Sequence, residues 1–113
     1  MPRDFRLHID DILAAIGRIR SYIQDMDYNA FSNDSKTQDA IIRNLEVIGE
    51  AARAIPDDFR IRTTNIDWRK IVGLRNVLIH EYFGISLPIV WDVVSNKLDE
   101  IESACKEIIT KLR

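Results

Sequence analysis

Arg75, Asn76, His80 and Tyr82 stand within an otherwise apolar run, after Ile71, Val72 and Leu74 and around Val77, Leu78 and Ile79. Polar groups in such surroundings are costly unless they find partners. These four types together suit one chemistry. Arginine is a permanent cation whose planar fork matches phosphate oxygens. Histidine is the side chain best able to move a proton near neutral pH. An arginine with a histidine five positions on is a minimal kit for phosphate chemistry: one group stabilises developing charge, the other transfers protons, with no metal or cofactor called for.

Such a kit works only if one element presents it. At roughly 100° per residue on a helix, with Arg75 at zero, Asn76 falls near 100°, His80 near 140° and Tyr82 near −20°. Asn76 and His80 are i,i+4 neighbours, and Arg75 and Tyr82 share a stripe. Ile71, Leu74 and Leu78 occupy the remaining face and would hold the helix to a core. Arg75 and His80 do not stack directly, but a long arginine can converge with a histidine on one ligand. Two copies across a two-fold axis would bring paired Arg and His groups together, supplying a base and an acid at once. A purely structural account fits the same residues: a hydrogen-bonded packing histidine, a buried ion pair from Arg75 to Glu46 or Glu50, and a half-buried tyrosine.

Arg43, Glu46, Glu50 and Arg53 step by three, four and three, so they line one face of a second helix. One reading is a ladder of i,i+3 and i,i+4 ion pairs. The other turns the stripe toward the third helix, where a carboxylate orients Arg75 or sets the tautomer of His80. Asn44 lies beside the stripe and can join either network.

The elements that carry these residues are legible from period and punctuation. Ile9, Ile12, Ile16, Ile19, Ile23 and Met26 mark a first helix from about Asp4 to Met26. Tyr28 to Ser35, rich in Asn, Ser and Asp, reads as a loop. Ser35 with Gln38 has the capping-box pattern and opens a second helix that Pro56 ends. Its stripe of Ile41, Leu45, Ile48, Ala52 and Ile55 is joined by Ile42, Val47, Ala51 and Ala54 on other faces, so it is expected to be mostly buried. Asp57 to Ile66 reads as irregular. Asp67 is the expected N-cap of the third helix, from Trp68 to about Phe83, which Gly84 stops. Ser86 and Pro88 suit the first turn of a fourth helix, with Val90, Val94, Leu98, Ile101, Cys105, Ile108 and Leu112 in heptad-like steps. Strand signals are nearly absent. The expected fold class is all-α: an antiparallel bundle of four main helices plus a short connecting segment, in one domain over 1–113, with a face buried in a homodimer.

Composition narrows the function classes. The chain has 113 residues, 46% hydrophobic and 30% charged, which is a globular mix rather than a disordered one. No apolar run approaches the ~18 residues of a membrane span, so no membrane is expected. The start, Met1-Pro2-Arg3-Asp4, has no signal-peptide core, and the lone Cys105 cannot close an internal disulfide. A cytoplasmic location is expected. Two histidines, His8 and His80, and one cysteine argue against a structural zinc site, so neither metal nor cofactor is expected. The net charge of −2 means that any binding to RNA must rest on a local cluster of cations.

The Arg-Asn-x-x-x-His core at Arg75–His80, Tyr82 after it, the block from Thr37 to Ala51, the block from Ile66 to Asn76, and Ile89-Val90-Trp91-Asp92 together resemble HEPN-domain proteins of the HepT-like toxin group. The resemblance covers essentially the whole chain and shows no departure from the motif. It implies a dimeric all-helical HEPN bundle with the motif at the subunit interface. It also implies a metal-independent RNA endonuclease that is the toxin of a type VII-like HepT/MntA toxin–antitoxin pair. In this group an MntA-like nucleotidyltransferase antitoxin silences the toxin by AMP transfer to the motif tyrosine, here Tyr82. Arg75 and His80 would be catalytic, Asn76, Tyr82, Arg43, Glu46 and Glu50 supporting. The competing class is a non-catalytic helical partner, or a nucleotide-binding module, of a nucleotidyltransferase.

Overall fold

The computed structural model describes residues 4–62, 66–73 and 86–111, and every regular element among them is helical. Arg75, Asn76, His80 and Tyr82 lie outside the described residues, as does the expected end of the third helix.

Helix α1 spans Phe5–Ile23, opened by the Asp4 carboxylate, which accepts from the Arg6 backbone N–H at 3.0 Å. Ile9, Ile12, Ile16 and Ile19 form its buried stripe, as their spacing requires. Helix α3, Ser35–Arg53, is its main partner. Ile41, Leu45, Ile48 and Ala52 face the core, and Ile42, Gly49 and Ala51 are buried beside them. A helix buried over so wide an arc meets more than one neighbour.

Two stretches that read as irregular are helical. Tyr28–Ser32 forms α2, whose N-cap is Asp27, accepting from the Ala30 N–H at 2.8 Å. Helices this short are not stable alone. Phe31 supplies the tertiary support: it is fully buried, with its ring 5.1 Å from that of Trp91. Asp57–Arg62 forms α4. Asp57 and Asp58 favour its N-terminus, the Pro56 carbonyl accepts from the N–H groups of Phe59 and Arg60, and Phe59 packs 5.1 Å from Phe5.

The capping of α3 also differs from the Ser35–Gln38 expectation. Asp34 is the N-cap: its carboxylate accepts from the Thr37 N–H at 3.0 Å and the Thr37 hydroxyl at 2.7 Å. Gln38 instead donates to the carbonyls of Phe31 and Ser32 at 2.9 and 3.1 Å, tying the end of α2 to α3. The Thr37 N–H bond, then the Thr37 hydroxyl, holds the Asp34 carboxyl below its ordinary 3.8. A carboxyl lowered on folding stabilises above that ordinary value and loses the contribution as pH falls through the lowered one. Asp34→Asn keeps a capping oxygen but cannot titrate there. Its melting temperature is therefore expected to fall less than that of the wild type as pH is lowered through the carboxylate range.

The described start of α5, 68–73, is capped by Asp67, which accepts from the Arg69 N–H at 3.1 Å. Trp68 and Ile71 anchor it in the core. Helix α6, Leu87–Asp92, opens at Ser86, passes through a π-turn at Val93–Lys97 and continues as α7, Leu98–Lys111. The sequence pattern explains the π-turn. Val90, Val94 and Leu98 are spaced by four and four, and each such step in an α-helix drifts by roughly 40°. A turn closed by i→i+5 bonds absorbs that drift, so all three stay buried with Ile101.

Helix α7 packs on α1. Arg20, near the end of α1, pairs with Asp99 and, at 2.8 Å, with Glu102, both near the start of α7, which gives the antiparallel order of a bundle. Among the described residues no helix is long and apolar enough to cross a membrane.

Candidate functional site

The polar stripe of α3 is present as the spacing requires. Arg43 lies 3.6 Å from Glu46 and Arg53 lies 3.9 Å from Glu50. Three of the four side chains are more than half exposed, whereas Glu46 is 22% exposed. Such solvated pairs contribute little to stability. Glu46 is the member that turns from solvent toward the body of the protein. How these groups stand to Arg75 and His80 lies outside the described residues.

Asn44 does not join the stripe. It is the buried polar residue of the described core, at 6% exposure. Its side-chain amide donates to the Ala40 carbonyl at 2.8 Å, and its oxygen accepts from Arg18 Nε of α1 at 2.7 Å. Asn44 thus ties α3 to α1, a structural task that satisfies its buried groups.

Cys105 is fully buried, and burial followed by the nearby Glu102 charge pushes its thiol up to about 12. A thiol so raised is not ionised near neutrality and is no nucleophile. Among the described residues no three His, Cys, Asp or Glu side chains gather closely enough to hold a metal ion.

Two grooves flank the start of α5, the segment that leads into Arg75. An open groove of about 590 Å³ is lined by Asp57, Arg60 and Ile61 of α4 and by Ile66 to Arg69. A more enclosed one of about 340 Å³ lies between the start of α5 and the π-turn with α7. Ile66, Asp67, Lys70 and Ile71 line it on one side, and Val93, Lys97, Glu100 and Ile101 on the other. Sequence reasoning gave no role to Lys70, Lys97 or Glu100. Lys70 and Lys97 are far apart along the chain, and no periodicity announces that they share a groove.

Comparison with known proteins agrees with this architecture. The family model described as Ribonuclease HepT-like matches residues 12–108. A Methanocaldococcus jannaschii protein provisionally named an RNase is 43% identical over 113 residues, covering 96% of this chain and 93% of that protein. The mRNA nuclease HepT of Shewanella oneidensis is 30% identical, over 80% of this chain and 87% of that one. The solved structure of a tri-AMPylated Shewanella oneidensis HEPN toxin in complex with MNT antitoxin superposes with a TM-score of 0.71 at 28% identity, over 97% of this chain and 99% of that one.

Proposed function

The chain belongs to the ribonuclease HepT-like family, and from that premise we propose that it is the toxin of a type VII-like toxin–antitoxin pair, a metal-independent RNA endonuclease acting in the cytoplasm. The supporting observation is the joint likeness in sequence and fold to HEPN toxins along nearly the whole length, in a chain that carries Arg75-x4-His80-x-Tyr82. The active unit is a homodimer of a single helical domain over 1–113, with the motif of each subunit at the shared face.

Cleavage uses the substrate's own 2′-hydroxyl. His80 of one subunit takes its proton, the 2′-oxygen bonds to phosphorus, and the bond from phosphorus to the 5′-oxygen breaks. His80 of the partner subunit gives a proton to the departing 5′-oxygen. Arg75 stabilises the extra charge on the phosphorane, which a fixed cation does without reorganisation. Asn76 positions His80 or a phosphate oxygen, and Glu46, Glu50 and Arg43 hold the arginine and histidine in place. The products end in 2′,3′-cyclic phosphate and 5′-hydroxyl.

An MntA-like nucleotidyltransferase antitoxin transfers AMP to Tyr82. The transferred group puts bulk and negative charge over a cationic site, where it occupies the cations and repels the RNA phosphates, which carry its own sign. Expression of the chain alone is expected to arrest growth, and co-expression with the nucleotidyltransferase to relieve the arrest. Intact mass should then rise by roughly 329 Da for each AMP transferred, and Tyr82→Phe should abolish the increment that maps to this tyrosine. A partner that binds with no toxicity in either condition would favour a non-catalytic helical partner instead.

A further inference from the structure

The outward side of α1 carries a seam of a kind that a solvated helix face does not need. Leu7 and Tyr22, both large and largely apolar, stand 45% and 39% exposed on it. Between them Ala14 and Arg18 are exposed and Asp11 is half-buried. At roughly 100° per residue Leu7, Asp11, Ala14, Arg18 and Tyr22 fall within about 80° of arc, so they form one line along the helix. Their spacing by threes and fours is that of a helix lying lengthwise on another. Arg18 is held ready for a partner. Buried Asn44 accepts from its Nε at 2.7 Å, which fixes the guanidinium, while its two terminal nitrogens bond no described residue. Arg6, Arg20, Arg43, Arg53 and Arg60 each lie against an acid of their own chain, and Arg18 lies against none that is described. Beside the seam, a Cβ added to Gly17 would meet nothing within 4 Å. The packing of this chain therefore does not call for a residue that weakens a helix interior.

The seam is complementary to itself. Positions 7 and 22 share a midpoint with positions 11 and 18, between Ala14 and Ala15. Two copies of α1 laid antiparallel about a two-fold axis at that point bring Leu7 against Tyr22 of the partner subunit. The same operation brings Asp11 against Arg18 of the partner subunit, and each contact occurs twice. Small side chains at the centre let the two backbones come close. Charge selects this occupant over others. The seam holds one acid and one base, so a basic partner would leave Arg18 opposed and an acidic one Asp11, whereas a second copy answers both. Asp10 lies to the solvent side of the line. Asp25, beyond Tyr22, would face Asp4 of the partner subunit, a carboxylate that Arg6 already neutralises at 2.7 Å. We propose that this face of α1 is a self-association surface, closed by a second copy of the chain in an antiparallel two-helix contact. Few residues take part, so the contact is weak and depends on concentration. It uses no residue of the Arg75–Tyr82 set and stands independently of the nuclease reading.

Sedimentation velocity over a concentration series tests the surface without RNA. Ala14→Glu sets two like charges face to face on the axis and is expected to raise the dissociation constant at least about tenfold. Glutamate is a good helix former, so circular dichroism of the variant should match the wild type. A cross-link tests the register. Leu7→Cys with Tyr22→Cys places two thiols about 22 Å apart within one chain, too far for an internal disulfide, but opposite one another across the seam. With oxidised glutathione the double variant is expected to form covalent dimers, and neither single variant nor the double variant carrying Ala14→Glu should do so. Cys105 is fully buried and does not compete. A wild type whose mass equals that of Ala14→Glu at every concentration overturns the surface, and so does cross-linking by a single variant. Loss of nucleotidyltransferase binding in Ala14→Glu at wild-type self-association also overturns it, since the face would then belong to that protein. A chain that associates as described but cleaves no RNA keeps the surface and removes only the nuclease.

Discussion

Replacing His80 with alanine is expected to lower RNA cleavage by about 10²–10⁴-fold in kcat, the usual worth of general acid–base catalysis. The effect follows from the proton inventory of the reaction. The 2′-hydroxyl must lose a proton and the 5′-oxygen must gain one, and imidazole is the group whose pKa allows both near neutrality. Affinity for the strand should change less than turnover, because Arg75 keeps the fixed cation at the phosphate. Arg75→Lys separates charge from geometry. Lysine keeps the cation but loses the planar fork, so it should fall well short of wild-type turnover. Added chelator should leave the rate unchanged. Undiminished cleavage by His80→Ala, or products with a 3′-hydroxyl, would overturn the assignment.

Phe31→Ala is expected to remove about 3–5 kcal/mol of stability, the cost of deleting a buried aromatic ring. The whole domain has about 5–15 kcal/mol to lose, so this one change brings it close to unfolding. Phe31 is fully buried, packs against Trp91 at 5.1 Å, and is the buried residue of α2. Without the ring, α2 keeps its Asp27 cap, the Gln38 bonds and the contact of the exposed Tyr28 ring with Trp91 at 6.3 Å, but loses its buried apolar anchor between α3 and α6. Urea unfolding should show a lower midpoint at nearly constant slope. A loss under about 1 kcal/mol would be below the range for a filled aromatic site and would mean that α2 is not docked as described.

The long helices were readable because their information is local. Isoleucines every three or four residues declare the face of α1, Pro56 closes the stretch after α3, and Asp67 and Ser86 sit where caps are needed. Helices α2 and α4 were not readable, because five or six residues carry too little periodicity and too much cap-forming Asp and Asn. Their stability comes from partners distant in sequence, Phe31 with Trp91 and Phe59 with Phe5. The double role of Gln38 was hidden for the same reason: its acceptors are the carbonyls of Phe31 and Ser32, which only the fold brings back to it.

By itself the amino-acid order determined the helical class, the principal core stripes and the chemistry available, because residue type and helical period are properties of neighbours along the chain. It put forward Arg75, Asn76, His80 and Tyr82 as the candidate reactive set and the α3 stripe as their expected support. Only the tertiary structure decided that Asn44 bonds Arg18 rather than the stripe, that a π-turn holds Val90, Val94 and Leu98 on one face, and that Lys70 and Lys97 border one groove. Those facts depend on where separate helices meet, and the packing of buried side chains sets that.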